Sequence, residues 1–147
     1  MSEGWRQPIG LCAVRIACAF RTISEDAALV IAGQVPLTEL VRERAEIYAA
    51  AQDREAALQT RAESKVTARR KSFENWQNHW DSSQKGRWTH TLIPNLSSWV
   101  ERSHGQVDFY LTQVISGHGY FRSYLKRFGH QTEDWCQECS SGVVTTT

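Results

Sequence analysis

A mainly α chain, an irregular multi-helix array with one long helix and no substantial sheet, is what this sequence predicts. Three observations carry that prediction. From Leu37 to Asp81 there is neither glycine nor proline, and Ala, Glu, Arg, Gln and Leu dominate, all strong helix formers. Elsewhere the apolar residues recur at spacings of three and four, the period of a helix with one buried face. No stretch alternates apolar and polar residues for long enough to read as a strand.

Taken in order, Ile9, Leu11, Cys12, Ile16, Ala19 and Phe20 have helical spacing and predict a buried N-terminal helix. In RTISEDAALVIAG two N-caps are available: Thr22 has Glu25 three positions later, and Ser24 has Glu25 and Asp26 in the turn where the helix dipole favours anions. Gly33 is placed to stop this short helix and Pro36 to start the next, because proline at the first helical position loses no intrahelical bond. The long helix, about 37–81, begins with Leu37, Leu40, Val41, Ala45, Ile47 and Tyr48 and ends with Phe73, Trp76 and Trp80. Between them runs a thin stripe of Ala51, Leu58 and Ala62 among charges, so docked ends and an exposed middle are expected.

Past Asp81 the text is punctuated by Ser82, Ser83, Gly86, Pro94 and Gly105. Helices are predicted from about Pro94 to Ser103 and from about Gln106 to Ser116. The second, with Val107, Phe109, Tyr110, Leu111, Val114 and Ile115, is too apolar for an exposed helix. Gly117 and Gly119 break the chain around His118. A last amphipathic helix puts Phe121, Tyr124, Leu125 and Phe128 on one side and Arg122, Lys126 and Arg127 on the other. The sequence thus divides into 1–36, 37–81, 82–130 and a tail, 131–147.

The composition, 41% hydrophobic and 22% charged over 147 residues, fits one domain's worth of soluble chain. No run approaches the roughly 20 apolar residues of a membrane span, and LCAVRIACAF is interrupted by Arg15 and lacks a basic lead-in and a small-residue cleavage site. A membrane partner is not expected. The cysteines fall as Cys12/Cys18 in a helical pattern and Cys136/Cys139 in a polar tail, which fits a reducing, intracellular compartment better than a disulfide scaffold. The net charge of +1 conceals segregation. Residues 1–38 carry three basic and three acidic groups and residues 39–81 eight of each, whereas 82–130 carry Lys85, Arg87, Arg102, Arg122, Lys126 and Arg127 against Glu101 and Asp108. A local basic excess of this kind attracts phosphate; a solvated helix face has the same composition.

Independent catalysis finds no support. There is no nucleophile elbow, no phosphate-cradling glycine loop and no paired aspartates for two-metal chemistry. His79 and His90 sit beside tryptophans and read as core-edge or surface residues. Cys136-x-x-Cys139 lacks the strand and helix of a thioredoxin-like pair, and Glu133 and Asp134 beside it would raise a thiol pKa. As a zinc half-site it supplies two of four ligands, leaving His118, His130 and His104 to complete the set.

The linked motifs R-T-x-S-x-x-A (from Arg21), V-x-A-G-x-x-P (Val30), W-x-x-x-W-D (Trp76), K-G-R-W-T (Lys85), Y-L-T-Q (Tyr110), S-G-H-G-x-F-x-x-Y-L (Ser116) and C-x-x-C (Cys136) span about residues 11–140. In this succession the chain resembles the C-terminal region of the polyprotein of insect non-LTR (LINE-type) retrotransposons, in elements related to those inserting in ribosomal RNA genes. The resemblance implies a parent with an endonuclease and an RNA-directed DNA polymerase, located in the nucleus, and a Cys-rich end that helps hold nucleic acid. It implies that residues 1–36 pack on the thumb side of the polymerase, which this chain lacks, and that Cys136 and Cys139 match the first two ligands of a Cys-Cys-His-Cys knuckle. The chain departs from that pattern: it reads SSGVVTTT where the later ligands belong, and it contains neither the polymerase palm nor the endonuclease. The expectation is a non-enzymatic fragment whose partners are RNA or DNA. Lys85, Arg87, Arg122, Lys126 and Arg127 are its candidate phosphate contacts, and Trp88, Tyr120 and Tyr124 its candidate stacking groups. Cys136, Cys139, His118 and His130 are the candidate, incomplete zinc set. The competing expectation is a host-retained helical module whose long helix binds a protein partner.

Overall fold

The computed structural model describes residues 6–52, 61–103, 105–119, 121–130 and 132–133. Among them the chain is helical and without strands, as predicted, in the order α1 (Arg6–Ile16), α2 (Glu25–Ala32), α3 (Leu37–Gln52), α4 (Arg61–Ser82), α5 (Arg87–Leu92), α6 (Leu96–Val100), α7 (Phe109–Ser116) and α8 (Arg122–Arg127).

The centre is α2. Ser24, rather than Thr22, caps it by accepting from the Ala27 amide at 3.3 Å. Gly33 ends it in the left-handed conformation, with its amide and that of Gln34 returned to the Val30 and Leu29 carbonyls. Between these caps Ala27, Ala28, Leu29, Val30 and Ile31 are all buried. Around them pack Ala13 and Ala17, Trp76 and Trp80 of α4, Ile93, Leu96 and Ile115. The N-terminal helix departs from expectation: it buries small residues, while Leu11, Cys12, Ile16 and Phe20 stay exposed. Ala13 and Ala17, one turn apart, make a flat face that lies close to α2. The chain leaves α1 through Cys18 at a positive φ of 52°, with the Ala19 amide bonding back to the Val14 carbonyl at 2.9 Å, a termination that usually takes glycine.

The single helix expected over 37–81 is instead two helices folded back on each other. The Lys71 ammonium lies 2.7 Å from Glu46, and Asn75 donates to Glu39 at 3.1 Å. In one straight helix a separation of 25 residues is about 37 Å at ~1.5 Å per residue, so α3 and α4 are separate helices packed side by side. Propensity alone gave no stop signal between them. The pairing of Glu39 with Asn75, Glu43 with Arg69 and Glu46 with Lys71 is antiparallel. It is close where Ala68 and Ser72 are buried, the Ser72 hydroxyl lying 3.5 Å from the Glu39 carbonyl.

The second half of the fold corrects two further expectations. Residues 87–92 form α5, and the helix expected from Pro94 shortens to α6, capped by Asn95 accepting from Ser98 at 2.9 Å. The helix expected from Gln106 starts at Phe109, with the Asp108 carboxylate accepting from Leu111 at 2.7 Å. It also faces the other way. Thr112, Gln113, Ile115 and Ser116 are buried, whereas Phe109, Tyr110, Leu111 and Val114 are exposed. The cause lies in the polar side chains: Thr112 donates to the Ala17 carbonyl at the end of α1. Gln113 lies against the Cα side of Gly119, where an added Cβ would stand 1.9 Å from its Oε1. Only glycine fits beside Gln113, which couples the Y-L-T-Q segment to S-G-H-G. No helix among the described residues is long and apolar enough to cross a membrane.

Candidate nucleic-acid interface

The contact residues that charge and ring area predict fall into two groups in the fold. In the K-G-R-W-T segment the side chains turn inward. Gly86 has φ +68°, and a Cβ on it would meet Ala27 Cβ at 2.9 Å and Ser24 Oγ at 3.1 Å. Arg87 donates to the carbonyls of Asp81 and Ser83 at 3.3 and 3.1 Å, closing the last turn of α4. Trp88 donates through its indole nitrogen to the Val114 carbonyl at 2.8 Å and stands edge-on to Phe121. Thr89 donates to the Ile115 carbonyl at 3.1 Å. Lys85 alone of these points into solvent, on an exposed turn. Arg102, another member of the basic excess, covers the Trp99 ring at 3.7 Å.

Beside this knot His90 donates from Nε2 to the Asp81 carboxylate at 2.9 Å, its Nδ1 accepting from Arg87 at 3.3 Å, and Gln77 donates to the same carboxylate at 2.9 Å. The His90 bond, aided by Gln77 and the nearby charges, holds the Asp81 carboxyl below the usual aspartate range.

The second group lies on one face formed by the end of α1, α7 and α8. Phe20 stands 5.8 Å from Phe109 and 6.2 Å from Tyr124, measured between ring centroids. Tyr124 is 4.8 Å from Phe128 and 4.8 Å from the His118 ring, and Phe109 is 5.6 Å from Tyr110. These separations are those of mutually packed rings. Yet Phe109, Tyr110 and Phe128 remain 43%, 71% and 46% exposed. A hydrogen bond of 3.1 Å between Tyr124 and Thr22 ties α8 to the turn before α2. The short α8 carries Lys126 and Arg127 in its last turn, where the helix dipole favours cations. Both are exposed, Arg122 is half-buried, and the Arg127 guanidinium lies 6.0 Å from the Phe128 ring.

Charge and amphipathic spacing point to Tyr124 and the α8 cations, but not to Phe20, Phe109, Tyr110 and Phe128, because runs of apolar residues predict core. The signal available was Thr112 within the same helix: its hydroxyl bonds inward to the Ala17 carbonyl, which leaves the rings on the outer face.

Of the candidate metal ligands, His118 places Nδ1 2.7 Å from the Ser116 carbonyl. A carbonyl can only accept, so Nδ1 donates to it. His130 is exposed. Cys136, Cys139, Tyr120 and His104 lie outside the described residues, and among those that are described no three potential ligands cluster.

No family model matches the chain, and no solved structure matches it. Over 61 residues, 42% of this chain, it is 34% identical to the Retrovirus-related Pol polyprotein from type-1 retrotransposable element R1 of Bradysia coprophila. Over 127 residues, 76% of this chain, it is 26% identical to the Retrovirus-related Pol polyprotein from type-1 retrotransposable element R1 4 of Nasonia vitripennis. The matches span 6% and 31% of those two relatives. The chain is therefore related, at low identity, to Pol polyproteins of type-1 retrotransposable elements and covers a minor part of their length.

Proposed function

We propose that the chain is a non-catalytic piece of a retrotransposon-derived Pol polyprotein, the reverse transcriptase of a non-LTR element, and that it holds single-stranded nucleic acid on the α1–α7–α8 face. The observation that carries this reading is a set of packed but exposed rings, Phe109, Tyr110 and Phe128, bordered by Lys126 and Arg127. Bases stack on such rings with about 1–3 kcal/mol each and with little sequence preference. Cations at the border take the phosphates. Arg122 extends the positive rim, and Lys85 stands apart on the turn between α4 and α5. Arg87, bonded to the Asp81 and Ser83 carbonyls and to His90, and Trp88, bonded to the Val114 carbonyl, contribute by fixing the α4–α5 turn and the α7 backbone.

Zinc belongs to the same proposal. Cys136, Cys139, His118 and His130 would hold it, with the His118 Nδ1 already bonded to the Ser116 carbonyl. The metal would supply a structural cross-link between the tail and the S-G-H-G turn. Zinc content after purification under reducing conditions, compared with a Cys136→Ser/Cys139→Ser variant, tests this: one equivalent in the parent alone supports it, and none in either removes it.

The nucleic-acid reading is tested by fluorescence anisotropy with a labelled 20-nucleotide oligouridine across a salt series. Binding should weaken about tenfold or more in Tyr110→Ala/Phe128→Ala, since each ring contributes about 1–3 kcal/mol. Both side chains are exposed, so the fold should persist. Absence of binding at low salt, or unchanged affinity in the ring variant, would overturn the reading.

A further inference from the structure

The turned-back α3–α4 hairpin creates a second surface that no expectation covered. Along one side of it, closed by α6, runs an open groove of about 550 Å³, within the size range of ligand-holding clefts. Its apolar lining is Ile47, Val66 and Phe73, and its charged lining is Arg44, Lys65, Arg69 and Arg70 with Glu43 and Glu101. The groove is thus lined by four cations and two carboxylates. The carboxylates do not cancel them evenly. Glu43 is buried and paired with Arg69 at 3.3 Å. Arg70 has only a long contact of 3.8 Å with Glu74, both side chains being highly exposed, a pair of little energetic weight. Arg44 and Lys65 have no carboxylate partner among the described residues. The even balance of residues 39–81 hides this, because acidic residues gather on α3 and the first half of α4, RAESKVTARRK, is basic.

We propose that this groove is a second contact site for the same single-stranded nucleic acid, an inference that rests on the function proposed above. Arg44, Lys65 and Arg70 take phosphates, and a base lies over the Val66 tip, which is 69% exposed, and the half-buried Ile47 and Phe73. An acidic amphipathic helix fits less well. Such a helix needs a continuous apolar trough for anchors at i, i+3, i+4 and i+7, whereas here the apolar lining is short and interrupted by cations.

A 20-nucleotide RNA carrying 4-thiouridine is the probe. Photocrosslinks mapped on the full chain should fall within 44–47 or 65–73 as well as on the α7–α8 face. In parallel, Arg44→Gln/Lys65→Gln/Arg70→Gln, which alters exposed side chains only, should weaken binding about tenfold and make the salt dependence shallower by about 2 log units per log unit, from ~0.7 for each cation lost. Crosslinks confined to 109–130 with unchanged affinity of the triple variant overturn the groove and leave the proposed function standing. No binding by the parent chain removes both. Displacement of the RNA by poly-glutamate as readily as by unlabelled RNA overturns the nucleic-acid assignment in favour of an acidic protein partner.

Discussion

Around α2 most of the internal polar side chains bond to backbone carbonyls, Asp26 with Ser83 and His79 being the exception, whereas between α3 and α4 they bond mostly to other side chains. In the first region Trp80 donates to Ile93 at 2.9 Å, Trp88 to Val114 at 2.8 Å and Thr89 to Ile115 at 3.1 Å, while Thr112 reaches Ala17. In the second Glu39 accepts from Arg42 and Asn75, and Glu43 and Glu46 pair with Arg69 and Lys71. A carbonyl is a fixed acceptor within an already ordered backbone. A pair of long side chains must be ordered to meet, and salt screens it. The W-x-x-x-W-D, K-G-R-W-T and Y-L-T-Q residues thus act as joints of the fold, and the hairpin is the more easily opened part.

The largest effect should come from the joint at Trp80, which is 1% exposed. Trp80→Ala is expected to cost about 3–5 kcal/mol through the lost packing and the cavity left behind, and to leave the Ile93 carbonyl without its donor. Urea unfolding followed by circular dichroism would show loss of cooperative unfolding. A loss below about 1 kcal/mol would mean that α4 is not built into the α2 core.

Two glycines separate close packing from backbone strain. Gly86 and Gly129 both have positive φ, +68° and +72°, but a Cβ on Gly86 meets three side chains within 3.2 Å and one on Gly129 meets nothing within 4 Å. Gly129→Ala should therefore cost only the left-handed penalty, about 1 kcal/mol. Gly86→Ala adds overpacking and should cost roughly 2–4 kcal/mol. Equal costs in thermal unfolding would show that the K-G-R-W-T turn is not pinned between α2 and α4.

A third substitution isolates one hydroxyl. Thr112→Val keeps the shape but removes the donor to the buried Ala17 carbonyl, at an expected cost of about 1–3 kcal/mol. The readout is faster amide exchange at the end of α1. If exchange and stability stay at parent values, the inverted burial of α7 needs another cause.

These joints mark what could be read in the sequence. Helical spacing, the Ser24 and Gly33 caps and the Trp76/Trp80 stripe are local signals, and they predicted α2 and the end of α4. The reversal between α3 and α4 was not legible, since residues 53–60 continue the helix-forming composition and the hairpin depends on pairs 25–36 residues apart. The outward rings of α7 were hidden for a related reason. Hydrophobicity predicts burial only where no competing contact claims the inner face, and here the Thr112 hydroxyl and the Gly119 surface claim it. The α8 cations were legible as charge, but the groove cations were lost in a sum over both arms of the hairpin.

A pH titration should divide the regions again. Hydrogen bonding from His90 is the first cause of the lowered Asp81 pKa, with Gln77 and neighbouring cations adding to it. A carboxyl lowered in the folded state adds stability that is fully present above its unfolded value, about 3.9, and that stability is lost as pH falls through the folded value. Asp81→Asn should therefore be less stable than the parent at neutral pH, with the gap closing below about pH 4. A gap that persists at low pH would assign the effect to neutral hydrogen bonds alone.

The smallest effect is expected in the hairpin. Lys71→Ala removes the 2.7 Å pair with Glu46, whose partners are 58% and 42% exposed. Such a pair contributes about 0–1 kcal/mol in dilute buffer and less at high salt. Global stability should hardly move. Amide exchange in α3 should quicken in the variant, and 0.5 M salt should bring the parent to the same rate, while exchange in α2 stays unchanged in both. If salt instead speeds α2 and α3 together, the hairpin and the α2 core open as one unit. The distinction between carbonyl joints and charge pairs would then have no consequence for how the molecule opens.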